Sequence, residues 1–454
     1  MNQKRKKNYN GSKRAKTIWT APALAFASVC LAACGANPGG SVLKEPEVLL
    51  LAAFEENGER SRQVELFNET HDDYKIEIQM YERSEKLEED GRARLQREII
   101  SGKGPDMIDF GTGYATSDIV GRYTEDLLPY LENNLDKDDY FWNIWEAFSH
   151  KDGLYALPVG FTLQTFAGTE EMLGGRDHWT IGEMMDIYDA HKEDMLLYPG
   201  EFKKDVFASI LTGSMEYYID WENSACSFDG EEFKKVLEFA GGFPDSLSLE
   251  ENFNVKQTFL DGGALLLPLR LSDPYDICHA EFIFGDVDIS YIGFPTERES
   301  GTVVIPSSSM LAVSISSGHK DICWEFISQF LSEDFQREEV TGLPVRRGVL
   351  EERLAQNLVP EYTKEEDGTR IPTVKYRIFI EGEEPVEVYN ITQEQAGQLI
   401  HLIETADMCA ANDMQLYYML LEEADQYFTG NKTLLETVQN IQNRAVIYVS
   451  ERAG

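Results

Sequence analysis

The 454-residue chain contains 41 basic and 80 acidic residues, which gives it a formal net charge of −39. A surface this acidic repels nucleic acid and anionic lipid head groups, so neither is expected as a partner. The length exceeds what a single hydrophobic core usually organises and predicts two or three domains.

The first residues have the pattern of a secretory signal. Seven basic side chains and no acidic one occur among the first nineteen residues, and an uncharged apolar stretch runs from 17 to 33. That order is typical of an export signal, here residues 1–33. Leu31, Ala32, Ala33 and Cys34 match a lipobox, so we expect cleavage before Cys34, diacylglycerol on its sulfur and an anchor at the outer face of the cell membrane. The alternatives are a transmembrane anchor or a buried thiol.

The region after Cys34 predicts a tether followed by alternating strands and helices. Residues 34–46 are rich in Gly, Pro and Ser, as in a flexible linker. The apolar run Val48–Phe54 predicts a strand covered on both faces, and Tyr74–Met80 alternates as a second strand. An amphipathic segment, 61–69, lies between them. The opening is therefore a βαβ unit.

The same alternation continues through the middle of the chain. Thr180 and Glu183 form a predicted capping box for a helix from Ile181, and Asp229 is predicted to cap the next helix. That helix would place Phe233, Val236, Leu237 and Ala240 on one face. The remaining predicted elements are helices at 92–100 and 320–331, and strands at 107–110, 264–267, 289–292 and 311–315.

The last hundred residues have a different pattern. Residues 361–390 are polar and predict a short hairpin around Glu381 and Gly382. Two helices then close the chain. In the final one Leu434, Val438, Ile441, Ala445 and Tyr448 recur at helical spacing behind a Thr433/Glu436 capping box.

Catalytic and metal-binding motifs are missing from the sequence. It contains no G-x-S-x-G, H-E-x-x-H, P-loop, C-x-x-C or calcium-loop pattern, and its seven histidines are dispersed. We therefore expect no enzyme activity, no metal and no cofactor. The remaining cysteines, Cys226, Cys278, Cys323 and Cys409, lack metal or redox spacing and are either core thiols or disulfide partners.

Six segments, in order, resemble one family from about Glu47 to Glu451. They are 95–108 (LQREIISGKGPDMI), 153–158 (GLYALP), 179–184 (WTIGEM), 292–295 (IGFP), 324–327 (WEFI) and 342–345 (GLPV). Together they resemble the family 1 extracellular solute-binding proteins, the sugar-capturing lipoproteins of ABC importers. In that family 153–158 and 292–295 would be the first and return crossovers between two lobes.

The resemblance implies an α/β fold with two lobes joined by hinge strands, the type II periplasmic-binding-protein-like fold. Lobe 1 would comprise residues 47–157 and 293–335, and lobe 2 would comprise 158–292 and 336–454. The residues agree with this division, because Leu157–Pro158 and Phe294–Pro295 each place a proline after an extended apolar residue and limit rotation in a hinge.

Ligand contacts are expected just beyond strand ends, where open α/β sheets bind their ligands. A sugar requires carboxylates and amides at its edge and aromatic rings against its faces. Each predicted contact could instead be a surface or packing residue. The candidates are Glu55, Glu56, Asn57, Asp109, Tyr114, Phe161, Thr162, Tyr198, Arg270, Asp273, Tyr275, Ser307 and Ser308.

The function that follows from the resemblance is capture of a carbohydrate, most simply an oligosaccharide, by a monomer that delivers it to ABC transporter permease subunits. A lipid-anchored polysaccharide hydrolase is one alternative, and it requires two carboxylates about 5–10 Å apart in a cleft. A non-catalytic surface or adhesion lipoprotein is the other, and it requires no cleft.

Overall fold

The computed structural model describes residues 45–81, 91–112, 119–149, 153–246, 253–298, 300–364, 368–380, 383–409 and 413–452. The elements below belong to one compact unit, Pro46–Gly454. The predicted signal and Cys34 lie outside the described residues. Across the described ranges, the helices are too short or too polar to cross a bilayer.

The strands are β1 (Glu47–Ala53), β2 (Tyr74–Met80), β3 (Met107–Asp109), β4 (Leu157–Pro158), β5 (Gly160–Thr169), β6 (Ile219–Asp220), β7 (Ala225–Cys226), β8 (Leu267–Leu271), β9 (Ile289–Tyr291), β10 (Val303–Pro306), β11 (Met310–Val313), β12 (Leu343–Pro344), β13 (Tyr362–Lys364), β14 (Arg370–Pro372), β15 (Tyr376–Ile378), β16 (Val386–Val388) and β17 (Met408–Cys409).

The α-helices are α1 (Gly58–Thr70), α2 (Gly91–Ile100), α3 (Leu128–Asn134), α4 (Trp142–Ala147), α5 (Glu170–Leu173), α6 (Ile181–Asp189), α7 (Lys203–Ser214), α8 (Glu231–Gly241), α9 (Val255–Leu260), α10 (Cys278–Phe284), α11 (Lys320–Ser328), α12 (Glu333–Glu338), α13 (Arg347–Asn357), α14 (Gln393–Thr405), α15 (Met414–Phe428) and α16 (Leu434–Arg452).

Sheet 1 has the strand order β2-β1-β3-β11-β4. Strands β2 and β3 run parallel to β1, whereas β11 runs antiparallel to β3 and β4. The apolar run of β1 is covered on both faces, as predicted, because Leu49 and Leu51 join one core cluster and Ala52 joins another. The predicted βαβ opening is confirmed.

Sheet 2 is built around the long strand β5, with the order β12-β5-β10-β17. Leu163 pairs with both Val304 of β10 and Leu271 of β8, so β8 lies on the edge of β5 opposite β10. Strand β12 pairs with Phe161 on that same edge. Thr162 therefore lies between the end of β12 and the end of β8.

The chain passes between the two sheets at three places within the described residues. Val159 joins β4 to β5, Ser307–Ser309 joins β10 to β11, and α11 with α12 connects β11 to β12. The return crossover expected at 292–295 is wrong. The Ile292 N–H donates to Phe166 O at 2.8 Å and Phe294 packs on Phe166, so this segment stays against sheet 2.

Local predictions were mostly confirmed. The Thr180/Glu183 capping box begins α6, the Thr433/Glu436 pair begins α16, and β15 and β16 form the expected hairpin, whose tip lies outside the described residues. Helix α8 buries the four predicted apolar residues, but it starts after Gly230 without a side-chain cap, so the Asp229 cap is wrong. The strand predicted at 264–267 instead occupies Leu267–Leu271, because Ala264 forms only an isolated bridge with Leu196.

A buried glutamine ties the first passage to the third. The Gln336 side chain donates to Val159 O at 2.7 Å and to Phe330 O at 2.8 Å, and its Oε1 accepts from Val345 N at 2.9 Å. The residue is fully buried. Its amide therefore satisfies backbone groups that water cannot reach.

A buried ion pair ties α1 to β3 and to the second passage. Arg60 Nη1 lies 2.7 Å from Asp109 Oδ2, with both side chains almost fully buried. Asp109 also accepts from Ser309 Oγ at 2.8 Å, Gly111 N at 2.9 Å and Met310 N at 3.2 Å. These hydrogen bonds compensate for the removal of the carboxylate from water.

Replacing Gln336 with leucine should lower the free energy of unfolding by about 3 kcal/mol, because the Val159 and Phe330 carbonyls and the Val345 N–H lose their partner. Urea unfolding measures the loss. Gln393→Leu, at the exposed start of α14, is the control and should change stability by less than about 0.5 kcal/mol. Equal losses in the two variants would contradict the role given to Gln336.

Replacing Arg60 with methionine should cost about 3–5 kcal/mol, because Asp109 then remains buried without its cation. The matched control is Arg62→Met on the same helix, where the side chain is 60% exposed and pairs with Glu339. It should cost less than about 1 kcal/mol. If thermal or urea unfolding gives Arg60→Met the smaller effect, the ion pair is not the main tie between α1 and β3.

Candidate functional site

Polar side chains from α1 and from two of the passages meet where the sheets are joined. Thr341 Oγ1 donates to Glu59 Oε1 at 2.5 Å, although the two residues are 282 positions apart in the chain. The Ser307 hydroxyl donates to the Thr341 carbonyl. We refer to Glu59, Ser307, Ser308 and Thr341 as the crossover site.

Glu59 and Ser308 lie next to each other in a buried part of the crossover site. Burial raises the pKa of Glu59, and the carboxylates of Glu339 and Asp109 raise it further, whereas the hydroxyls of Thr341 and Ser308 lower it. Glu59 Oε2 and Ser308 Oγ are both buried and lack a hydrogen-bond partner among the described residues. The two oxygens are therefore buried neighbours of each other at the crossover site.

Close backbone packing brings the second and third passages together at Gly342. Its φ is +83°, and a Cβ there would lie 2.7 Å from both Phe161 O and Ser307 Cβ. Glycine is therefore required at this position. The passage can approach Ser307 only because no side chain intervenes.

The half-buried Arg353 contacts Gly342 and interacts electrostatically with the half-buried Asp273. Arg353 of α13 donates to Gly342 O at 3.1 Å, and burial lowers the pKa of its guanidinium while the Asp273 carboxylate acts in the opposite direction. Burial raises the pKa of Asp273, which caps the short helical turn Pro274–Ile277.

Three of the predicted contacts at the ends of strands are exposed. Glu55 and Glu56 lie in the loop between β1 and α1, and Arg270 projects from β8. Asn57, in the same loop, accepts from Arg60 N at 2.8 Å and caps α1. Tyr114 lies outside the described residues.

The predicted aromatic contacts pack inside the protein. Phe161 is fully buried in the core between the sheets, and Tyr198 stacks on Phe166 with the ring centroids 5.7 Å apart. Tyr275 is 6% exposed and stacks on Tyr376. Asp109 is likewise occupied, because its oxygens accept from Arg60, Ser309 and two backbone N–H groups. As ligand contacts, all of these stay predictions.

Three predicted hydroxyl residues are buried without a partner. Thr162 and Ser308, which are 2% and 5% exposed, and Tyr275 each have an oxygen that makes no hydrogen bond with the described residues. Of the predicted set, the structure brings Ser307 and Ser308 together with Glu59 and Thr341, and Asp273 interacts electrostatically with Arg353.

Sequence reasoning missed Glu59, Thr341 and Arg353. Glu59 lies only two residues beyond Asn57, but it belongs to α1 rather than to the loop after the strand. Thr341 immediately precedes the 342–345 motif, and that motif was the sequence signal that could have identified it. Arg353 lies on a helix that the sequence analysis did not identify.

A separate cavity of about 230 Å³ lies between β9, α14 and the turn at Gly175–Asp177. His401 and Gln398 of α14 line it together with Arg176. None of the predicted ligand contacts lines this cavity. Among the described residues, no group of His, Cys, Asp and Glu could hold a metal, and Cys226, Cys278, Cys323 and Cys409 are not joined in disulfides.

Comparison with known proteins identifies the fold. No family model matches the chain, and no curated protein matches it. Among solved structures, a periplasmic oligogalacturonide binding protein from Yersinia enterocolitica aligns with a TM-score of 0.54 and 15% identity over 90% of this chain and 100% of its own. The sugar-binding protein MalE from Xanthomonas citri aligns with a TM-score of 0.51 and 17% identity, over 89% and 98%.

A third structure carries the family description itself. It is a family 1 extracellular solute-binding protein from Alicyclobacillus acidocaldarius, with a TM-score of 0.51 and 12% identity over 89% of this chain and 99% of its own. All three are described as binding proteins. The chain therefore has the α/β fold of the family 1 extracellular solute-binding proteins, the type II periplasmic-binding-protein fold that its sequence predicts.

Proposed function

We propose that the chain is a lipid-anchored extracellular solute-binding protein that captures an oligosaccharide for an ABC importer. The observation that carries the proposal is the fold. About nine-tenths of this chain aligns with the structures of proteins described as sugar-binding and oligogalacturonide-binding. Cys34 is the proposed anchor, and membrane permease subunits are the proposed partners of the monomer. A tethered cleft keeps the captured solute close to the permease.

The arrangement of the passages supports a ligand site between two lobes. Sheet 1 and sheet 2 correspond to the proposed lobes, and two of their three passages, Val159 and Ser307–Ser309, are short enough to suit a hinge. The crossover site lies at these passages. Its carboxylate and hydroxyls are the groups that hydrogen-bond to the hydroxyls of a sugar.

A thermal-shift screen of the purified protein against neutral and charged oligosaccharides, with peptides as the contrast, tests the proposal. A saccharide present at about a hundred times its Kd should stabilise the native state by about 2.7 kcal/mol and raise the Tm by several degrees. If peptides raise the Tm and no saccharide does, the carbohydrate assignment is wrong. Turnover of a chromogenic glycoside would instead identify a hydrolase.

Ser308→Ala should weaken binding of the identified saccharide by about three- to tenfold, because a hydroxyl that contacts the ligand is lost. Stability should change little, since this hydroxyl makes no hydrogen bond within the described residues. Isothermal titration calorimetry measures the affinity. Ser328→Ala on α11, where the hydroxyl bonds to its own helix, is the control and should bind normally. Normal binding by Ser308→Ala would exclude Ser308 from the ligand site.

A further inference from the structure

The cavity of about 230 Å³ between β9 and α14 lies far from the crossover site. Strand β5 begins at Gly160, whose carbonyl accepts from Ser307 N, and β9 pairs with the other end of β5 at Gly168. At about 3.3 Å per residue, the strand separates the two places by about 26 Å. We refer to this second space as the distal cavity.

Strand β9 offers its backbone edge to the distal cavity. Asp288 O accepts from β5 and Ile292 N donates to β5, so in this antiparallel pair the backbone groups of Ile289 and Tyr291 point away from β5. In the described sheet, β9 has no second neighbouring strand. Residues 289–291 all line the cavity. Because successive side chains of a strand point to opposite faces, three consecutive lining residues mean that the cavity reaches the edge of the strand.

Hydroxyl and amide side chains line the same space. Thr302 is 3% exposed and lines the cavity, and its hydroxyl makes no hydrogen bond with the described residues. The Ser290 hydroxyl and the Gln398 amide, which also line the cavity, are equally without a partner in the described structure. Because buried polar groups are normally paired, the Thr302 hydroxyl requires a hydrogen-bonding group inside the cavity.

Helix α14 turns one fixed face toward the distal cavity. Gln398, Leu402 and Thr405 recur at helical spacing and line it together. The end of the helix is held in place, because Asn143 of α4 donates to Ile403 O at 2.7 Å. The lining is therefore formed before a ligand arrives, which lowers the entropic cost of binding.

The charged residues at the rim are engaged with other protein groups. Arg176 donates to Leu173 O at 2.8 Å and lies 4.0 Å from Glu183. Asp177 lies 2.9 Å from His178. An ionic ligand would compete with these contacts, and the net charge of −39 further disfavours an anion. A neutral ligand with hydroxyls both donates and accepts hydrogen bonds, as the hydroxyls and the amide of the lining do.

The volume of the cavity sets the size of the ligand. Sites for drug-sized molecules occupy about 300–1,000 Å³. A space of about 230 Å³ suits a smaller molecule, such as a single sugar ring. Tyr291 and Leu402 line the cavity as well and supply apolar surface for the C–H groups of the ring.

We propose that the distal cavity is a second binding site, which holds one neutral sugar ring through hydrogen bonds to Thr302, Ser290 and Gln398. This site goes beyond the proposed function, because it is filled independently of the crossover site.

Titration calorimetry of the unaltered protein with glucose, galactose and mannose tests the second site, with glucuronate and glucosamine as charged sugars of similar size. At least one neutral sugar should bind, and the tightest should bind at least about fivefold more tightly than either charged sugar, because an unpaired charge is costly in a partly enclosed space. Binding of none of the three neutral sugars, or tighter binding of a charged one, overturns the second site.

Gln398→Trp fills the cavity from α14 and should weaken binding of the neutral sugar by at least about tenfold, because the larger side chain clashes with it. Gln393→Trp, the same change at an exposed position of the same helix, is the matched control and should leave the affinity within about twofold of the unaltered protein. Thr302→Val removes a hydroxyl at nearly constant shape and should weaken binding about three- to tenfold. Affinities in Gln398→Trp and Thr302→Val that equal the control exclude the distal cavity as the site.

Oligosaccharide binding separates the second site from the proposed function. It should persist in Gln398→Trp and in Thr302→Val, because the crossover site lies about 26 Å away along β5. Loss of oligosaccharide and monosaccharide binding together in Thr302→Val means that one site serves both, which overturns the second site and leaves carbohydrate capture standing. A neutral sugar that binds at the distal cavity while no oligosaccharide binds anywhere has the opposite meaning.

Discussion

The buried ion pair between Arg60 and Asp109 is the constraint on which the rest of the site depends. Asp109 ends β3, Arg60 lies in the first turns of α1, and Ser309, which donates to the same carboxylate, belongs to the passage between the sheets. One carboxylate thus fixes a strand end, a helix start and a crossover. The oxygens of Asp109 are occupied by these contacts, and the ion pair places Glu59, the residue before Arg60, beside the passage.

The passages are also tied to one another, which restricts how two lobes could move. Gln336 bonds to Val159 O and to Val345 N, so the first and third passages are linked through one buried amide. Gly342 lets the third passage contact Ser307 of the second. The three passages are therefore held as one unit, because a separate movement of any one would break buried hydrogen bonds or close packing.

The sequence predicted what local patterns determine. The apolar run of β1, the alternation of β2 and the capping boxes of α6 and α16 depend on neighbouring residues, and all were confirmed. The return crossover was misplaced, because Ile292 and Phe294 are held against β5 by contacts with Phe166, which no local pattern encodes. The site was predicted least well for the same reason: Glu59 and Thr341 meet across 282 positions, and strand-end reasoning selected Phe161 and Tyr198, which the core buries.

The acidic residues of the chain are in a different environment at the crossover site than over the rest of the surface. Over most of the surface, a net charge of −39 is compatible with a solvated coat that keeps the protein apart from nucleic acid and anionic lipid. At Glu59 the charge is partly withdrawn from water, and the nearby arginines are engaged with other carboxylates. The fold thus holds a carboxylate where its passages meet, and the hydroxyls of Thr341 and Ser308, rather than a cation, compensate for its partial removal from water.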